Sequence, residues 1–185
     1  RAQQVGKVPT IGFLGPNTPT VQRHWTAAFV QRLRELGWIE GRNIAIEYRW
    51  GEGRTERFAE ITAEFVRLRV DVIVTAGTPP SVAAKQATSI IPIVFAASAD
   101  PVGTGLVASL ARPGGNSTGF LMFEYGLAGK WLELLKQIAP RVTRVAVLRD
   151  PTIASGIGQF GAVQAVAPSL GVDLSPVDVR DAPEI

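Results

Sequence analysis

Four times in this chain a short apolar run gives way to a Thr-Pro or Asp-Pro pair and then to helix-like spacing: Thr18-Pro19, Thr78-Pro79, Asp100-Pro101 and Asp150-Pro151. Threonine and aspartate cap helices, because a side-chain oxygen accepts an orphan backbone N–H, and proline suits the first helical position, where no N–H is needed. The runs before these pairs include Ile11 to Leu14, Val72 to Val74, Ile93 to Phe95 and Val145 to Leu148. Their apolar, β-branched character reads as strands, and the first, within Val8 to Leu14, as one buried on both faces. Strand followed by helix, repeated at this spacing, implies right-handed crossovers and an α/β, doubly wound parallel sheet. The helix starts then gather beside the carboxyl ends of the strands, the edge where open α/β sheets bind ligands. A small ligand with a carboxylate or another acceptor group is expected, since helix starts carry N–H donors and partial positive charge.

Taken in order, Val8 to Leu14 is a strand closed by Gly15-Pro16-Asn17. The next helix carries an apolar stripe of Val21, Trp25, Ala28, Phe29, Leu33 and Leu36, with Gly37 as its left-handed cap and Trp25 read as core. Alternation from Ile44 to Trp50 reads as an edge strand with one wetter face. A helix striped by Phe58, Ile61, Phe65 and Leu68, a strand from Asp71 to Thr75, an Ala-rich helix, a strand from Ile91 to Ala96 and a short helix from Thr104 to Ala111 complete a flavodoxin-like, Rossmann-like unit of strand order 2-1-3-4. The run from Arg112 to Gly119 is the strongest linker signal, so the reading divides the chain into a first lobe, 1–118, and a second, 119–185. The second holds a helix on Leu127, Trp131, Leu134, Leu135 and Ile138, a strand from Arg144 to Arg149, helix from Ile153 to Leu170 and a strand from Val172 to Val177. Two strands and two helices bury too little for an independent domain, so this second α/β lobe reads as incomplete. Trp131, Leu134, Val145 and Val147 should then be exposed unless a homodimer pairs the incomplete lobes or sequence beyond Ile185 covers them.

Several function classes drop out. The formal charge of +3 comes without a basic run, which gives no support for nucleic acid as a partner. With no cysteine and one histidine, His24, there is no thiolate or His-rich metal site, and a serine triad would have to pass through that one imidazole. No phosphate-cradling glycine motif follows any strand, and no cofactor is expected. No stretch approaches the apolar length of a membrane-spanning helix. The polar start Arg1-Ala2-Gln3-Gln4 fits a removed signal peptide or an arbitrary boundary.

What remains are polar groups suited to holding a ligand at the strand-to-helix junctions: Asn17 and Thr18, Gly77 and Thr78, Ser98 and Asp100, Asp150 and Ser155. The threonines and aspartates can equally be caps and nothing more. Gly77 lets a ligand approach backbone donors closely, or serves the turn. Phe123 and Tyr125 can stack on a ligand or pack against the sheet, and Asn116-Ser117-Thr118 reads as part of the linker turn. The alternative from another class is a small α/β enzyme using Asp100 or Asp150 as general acid or base, although no partner base or nucleophile stands out.

Ile91-Pro92-Ile93-Val94-Phe95, Asp100-Pro101-Val102-Gly103, Gly105-Leu106-Val107, Ser109-Leu110-Ala111-Arg112-Pro113-Gly114-Gly115-Asn116 and Thr118-Gly119 together resemble the signature of bacterial ABC transporter substrate-binding proteins. The family is the one often labelled as tryptophan/tyrosine transport components. Leu36-Gly37-Trp38, Gly41-Arg42-Asn43, Asp71-Val72-Ile73-Val74 and Leu132-Glu133-Leu134-Leu135 extend the resemblance over nearly the whole chain. It implies a type I periplasmic binding protein: two lobes that close by a hinge on a small-molecule solute, non-enzymatic, periplasmic or extracytoplasmic, sometimes lipid-anchored, and delivering solute to a membrane permease. Carried over by position, Asn17, Thr18, Gly77, Thr78, Ser98 and Asp100 belong to one wall, Asp150 and Ser155 to the other. Members resembling aromatic amino-acid binders tend to carry His-Pro after the first strand, whereas Gly15-Pro16-Asn17-Thr18-Pro19 stands here. The family's second lobe also needs about a hundred further residues by ordinary domain size.

Overall fold

The computed structural model describes residues 8–151 and 153–179, and for residues 154 and 155 the backbone alone. The first strand, β1 (Thr10–Gly15), leads to α1 (Pro19–Glu35). Thr18 is the N-cap, its Oγ1 accepting the Val21 N–H at 3.4 Å, and Pro19 opens the helix. Gly37, at φ 89°, turns the chain out of it. The first sheet continues through β2 (Ala45–Trp50), α2 (Glu56–Leu68), β3 (Val72–Ala76), α3 (Thr78–Ala87), β4 (Ile93–Ala99) and β5 (Ser117–Phe123). Its order is β2-β1-β3-β4-β5. Parallel registers set Ile11 against Ile46 and Val72, and Ile73 against Ile93.

The expected 2-1-3-4 order therefore stands, with β2 at the edge, although all of β2 is half-buried and neither face is distinctly wetter. A fifth strand was not expected. It begins inside the segment read as linker, where Thr118-Gly119 carries turn chemistry while the backbone pairs beside β4 through an Ile93 N–H to Asn116 C=O bond of 2.7 Å.

The main core joins α2 and α3 to the sheet through Leu14, Phe58, Ile61, Phe65, Val70, Ile73, Ala84 and Ile93. Fully burying a side chain such as Phe65 contributes roughly 1.5–3 kcal/mol. Helix α1 instead packs through Phe29, whose ring lies 5.5 Å from that of Phe13. Its inward row is Gln22, Thr26, Phe29 and Leu33, and Trp25, expected in the core, is 60% exposed. The two rows differ by about one residue of rotation, and the buried hydrogen bond of Gln22 favours the more polar one.

Two of the four expected helix starts do not form. No helix occupies 104–111; that segment is a series of turns in which Leu106 and Val107 pack beneath Phe95. Asp100, at φ 36°, cannot take the extended conformation of an N-cap and closes a turn instead. After β6 (Arg144–Arg149), the helix α5 (Ala154–Val166) starts with Ile153 in the cap position, so Asp150-Pro151 lies upstream as a turn. Thr78 is the first residue of α3, one place past its expected role, because Gly77 takes the cap position.

The chain divides into two compact units, one of Arg1–Ser98 with Gly105–Phe120 and one of Ala99–Thr104 with Leu121–Ile185. The second has its own sheet, β6 paired in parallel with β7 (Asp173–Asp178), and its own small core. Ala128 and Leu132 of α4 (Leu127–Ile138) meet Val163, Ala167 and Val172 there. Val145 packs against this core, while Trp131 and Leu134 are 49% and 55% exposed.

Candidate functional site

In the first unit the loop after β1 holds Asn17 and Thr18, the β3–α3 junction holds Gly77 and Thr78, and the end of β4 holds Ser98, all at the carboxyl edge of the sheet. The Asn17 N–H donates to Gln22 Oε1 at 3.0 Å, and the Gln22 side chain is buried, so the β1 loop is held from beneath. Gly77 adopts φ 86° and ψ 165°, a conformation open almost only to glycine, and its N–H reaches the Ala96 C=O at 2.8 Å. The Ser81 hydroxyl donates to the Gly77 C=O at 2.6 Å. Because that proton is used, the 2.7 Å contact with Thr75 places the Thr75 hydroxyl as donor to Ser81. A directed relay, Thr75 to Ser81 to Gly77, thus fixes the peptide at the mouth of α3.

Thr78 and Ser98 share a 3.3 Å hydroxyl contact, and Ser98 has no exposed surface. Ser98 therefore acts on the edge through Thr78. The helix starts are poorer in N–H donors than their caps suggest. Pro79 and Pro80 remove two from α3, and in α1 Pro19 has none while the Val21 and Gln22 N–H groups bond to Thr18. Hydroxyls and the Asn17 side chain supply much of the polar character. Where β4 ends, Ala97 sits at φ 55° and is exposed along with Ala96. An alanine in that conformation is uncommon, and such residues cluster at ligand-binding edges.

In the second unit, Asp100 anchors the turn of residues 99–104. Its N–H reaches the Phe123 C=O at 3.1 Å, its Oδ1 accepts the Gly103 N–H at 2.8 Å, and its C=O accepts both the N–H and the hydroxyl of Thr104. Asp150 lies at the end of β6 on a groove of about 310 Å³ that includes Trp131, Arg149, Ile153 and Phe160. The Arg149 guanidinium there is committed to Asp178, at 2.7 Å, and to the Phe160 ring, 4.7 Å from its centre. Ser155 belongs to the first turn of α5, and its side chain lies outside the described residues. Tyr125 packs its ring against Gly158 of α5. No group of three or more His, Cys, Asp or Glu residues suited to a metal occurs among the described residues.

Sequence reasoning missed Thr75, Ser81 and Gln22, each buried behind a loop rather than on it. The one signal was polar residues at core positions: Thr75 closing an apolar strand, and Ser81 four residues after the helix-opening Gly77. A groove of about 450 Å³ lined by Pro19, Arg23, Tyr48 and Trp50 includes none of the candidate residues. Burial, with the charge of Glu40, pushes the Tyr48 phenol beside it up to about 12.

A parallel α/β unit with polar residues at the carboxyl edge of its sheet, continued by a second α/β unit, places the chain in the doubly wound α/β class. Residues 23–185 match the family of ABC transporter substrate binding proteins, and the chain belongs to that family. It is 36% identical over 120 residues to a tyrosine-binding protein of Clostridioides difficile, covering 65% of this chain and 34% of that one. A conserved domain protein from Vibrio cholerae superposes with a TM-score of 0.81 at 28% identity, covering 94% of this chain and 58% of that one. An ABC domain of Streptococcus pneumoniae in complex with L-Trp does so with a TM-score of 0.78 at 26% identity and the same coverages. The chain thus spans about a third of the curated relative's length (34%) and under three-fifths (58%) of each of these two solved chains. The family is a transport component, which weighs against the enzyme alternative built on Asp100 or Asp150.

Proposed function

We propose that this chain is the solute-holding part of an extracytoplasmic receptor that delivers a small, carboxylate-bearing solute of the amino-acid class to the membrane permease of an ABC transporter. The observation that carries this reading is the polar edge built behind Gly77, where Thr75, Ser81 and Ser98 are spent on fixing one loop. Asn17, Thr18, Gly77 and Thr78 are the groups offered from the first unit. Asp100, Asp150 and Ser155 are those offered from the second. The likeness to a tyrosine-binding protein and to an L-Trp complex supports an amino acid as the solute. An extracytoplasmic location, periplasmic where there are two membranes, goes with this role, as does a chain released from a signal peptide or held by a lipid anchor.

Calorimetry and thermal-shift measurements on the protein carrying this chain, with a panel of L-amino acids, sugars and nucleosides, test the proposal. Saturable binding of an amino acid, without turnover, is the expected result. Binding of a sugar or nucleoside alone overturns the ligand class, and chemical conversion of the bound solute would favour an enzyme.

A further inference from the structure

The hydroxyl of Tyr125 is chemically out of place. Its oxygen is buried and has no hydrogen-bond partner among the described residues. The ring has little freedom to find one, because a Cβ at Gly158 would come within 2.3 Å of it. A buried polar atom left in this way loses its water without recompense, a cost that a partner brought by a solute would remove. Burial and the negative charge of the Asp100 carboxylate both push the phenol above its usual range, so it stays neutral and keeps its lone pairs as acceptors.

We infer that Tyr125 and Asp100 together form the subsite for the ammonium group of the solute, with Tyr125 the residue that distinguishes an amino acid from the corresponding simple carboxylic acid. This rests on the receptor reading above and adds to it a residue and a chemical group. Charge decides which end of the solute is taken: a carboxylate brought beside Asp100 is repelled, whereas an ammonium is attracted. Geometry supplies the acceptors. Asp100 Oδ1 already receives the Gly103 N–H at 2.8 Å, which leaves Oδ2; the Asp100 N–H bonds the Phe123 C=O at 3.1 Å, two residues before Tyr125, whose oxygen is the second unspent acceptor. An ammonium, with three N–H donors and no acceptor, matches two such oxygens. Asp100 is half-buried, and the solute reaches the pair from its side.

The test uses Tyr125→Phe, which removes one oxygen and keeps the ring that packs on Gly158. Calorimetry on the protein carrying this chain compares L-tryptophan, L-tyrosine and L-leucine with their deaminated counterparts, indole-3-propionate, 3-(4-hydroxyphenyl)propionate and 4-methylpentanoate. For whichever amino acid binds, the substitution is expected to weaken affinity about tenfold and to leave the deaminated partner unchanged. Ligand-free Tyr125→Phe should melt at or above the wild type, because an unsatisfied hydroxyl has been removed. Asp100→Asn should likewise weaken the amino acid selectively. Unchanged amino-acid binding by Tyr125→Phe, or equal loss for both members of a pair, overturns the inference while leaving the receptor reading intact. A wild type that binds none of the three amino acids but does bind a sugar or nucleoside overturns both.

Discussion

Replacing Ser81 with alanine should damage the mouth of α3 without touching the exposed surface. Ser81 is fully buried; its hydroxyl donates to the Gly77 C=O at 2.6 Å and accepts from Thr75 at 2.7 Å. The substitution removes one net hydrogen bond, about 1 kcal/mol, and strands the Thr75 hydroxyl in a site with almost no solvent, about 1–3 kcal/mol more. A total of about 2–4 kcal/mol lowers the melting temperature by roughly 4–16 °C for a chain of this size. Thr75→Val alone removes the same donor but leaves Ser81 bonded to Gly77, so it should cost about 1 kcal/mol or less. The two together replace both partners with apolar groups, and the double variant should be more stable than the sum of the single losses predicts, by about 1 kcal/mol or more. Urea unfolding followed by circular dichroism on the four proteins measures this. Additive losses, or a Ser81→Ala variant within about 0.5 kcal/mol of wild type, would refute the relay as the support of Gly77.

Gly77→Ala forces a Cβ into φ 86° and ψ 165°, where open space surrounds the atom but the backbone conformation is nearly glycine-only; a loss of about 1–3 kcal/mol is expected by the same unfolding assay, with solute affinity falling alongside. Asn116→Ala removes three hydrogen bonds that join the Thr88 and Ile91 carbonyls and the Lys85 ammonium to the start of β5; about 1–3 kcal/mol of stability and faster amide exchange at Ile93 should follow. The chain has two tyrosines, and both phenols are raised, Tyr48 to about 12 and Tyr125 in the same direction. The unfolded chain therefore gives up these protons first, so stability should fall as pH rises above about 10, and tyrosinate absorbance should lag that of the denatured protein. Arg49 bonds Glu64 in a two-pronged pair and holds its carboxyl below the usual range, so that contribution is present above the unfolded pKa and lost on acidification. Glu64→Gln should flatten the loss of stability below about pH 4.5 and, since both side chains are about a third exposed, change neutral-pH stability by at most about 1 kcal/mol.

Why some of this was readable from the residues and some was not follows from the range of the interactions involved. β1, β3 and β4 were legible as apolar, β-branched runs buried in the sheet, β6 as a similar run although one of its faces is exposed, and α1 because Thr18-Pro19 caps it with atoms three residues apart. Asp100-Pro101 carries the same local message, yet its N–H reaches Phe123 and its backbone turns at φ 36°, so a partner far along the chain overrides the cap. β5 was hidden for a related reason: its pairing with β4 compensates a Thr-Gly sequence that by itself says turn. In the candidate site, the junction residues were visible through their turn chemistry, whereas Gln22, Thr75 and Ser81 act from core positions and look like ordinary interruptions of an apolar pattern. The orphan hydroxyl of Tyr125 is the extreme case. Its aromatic ring announces packing, which Gly158 of α5 rather than the sheet supplies, and only the three-dimensional surroundings reveal that the oxygen has been left without a partner beside a carboxylate. Residues that depart from the pattern their neighbours set are therefore the ones whose function depends on the fold being known.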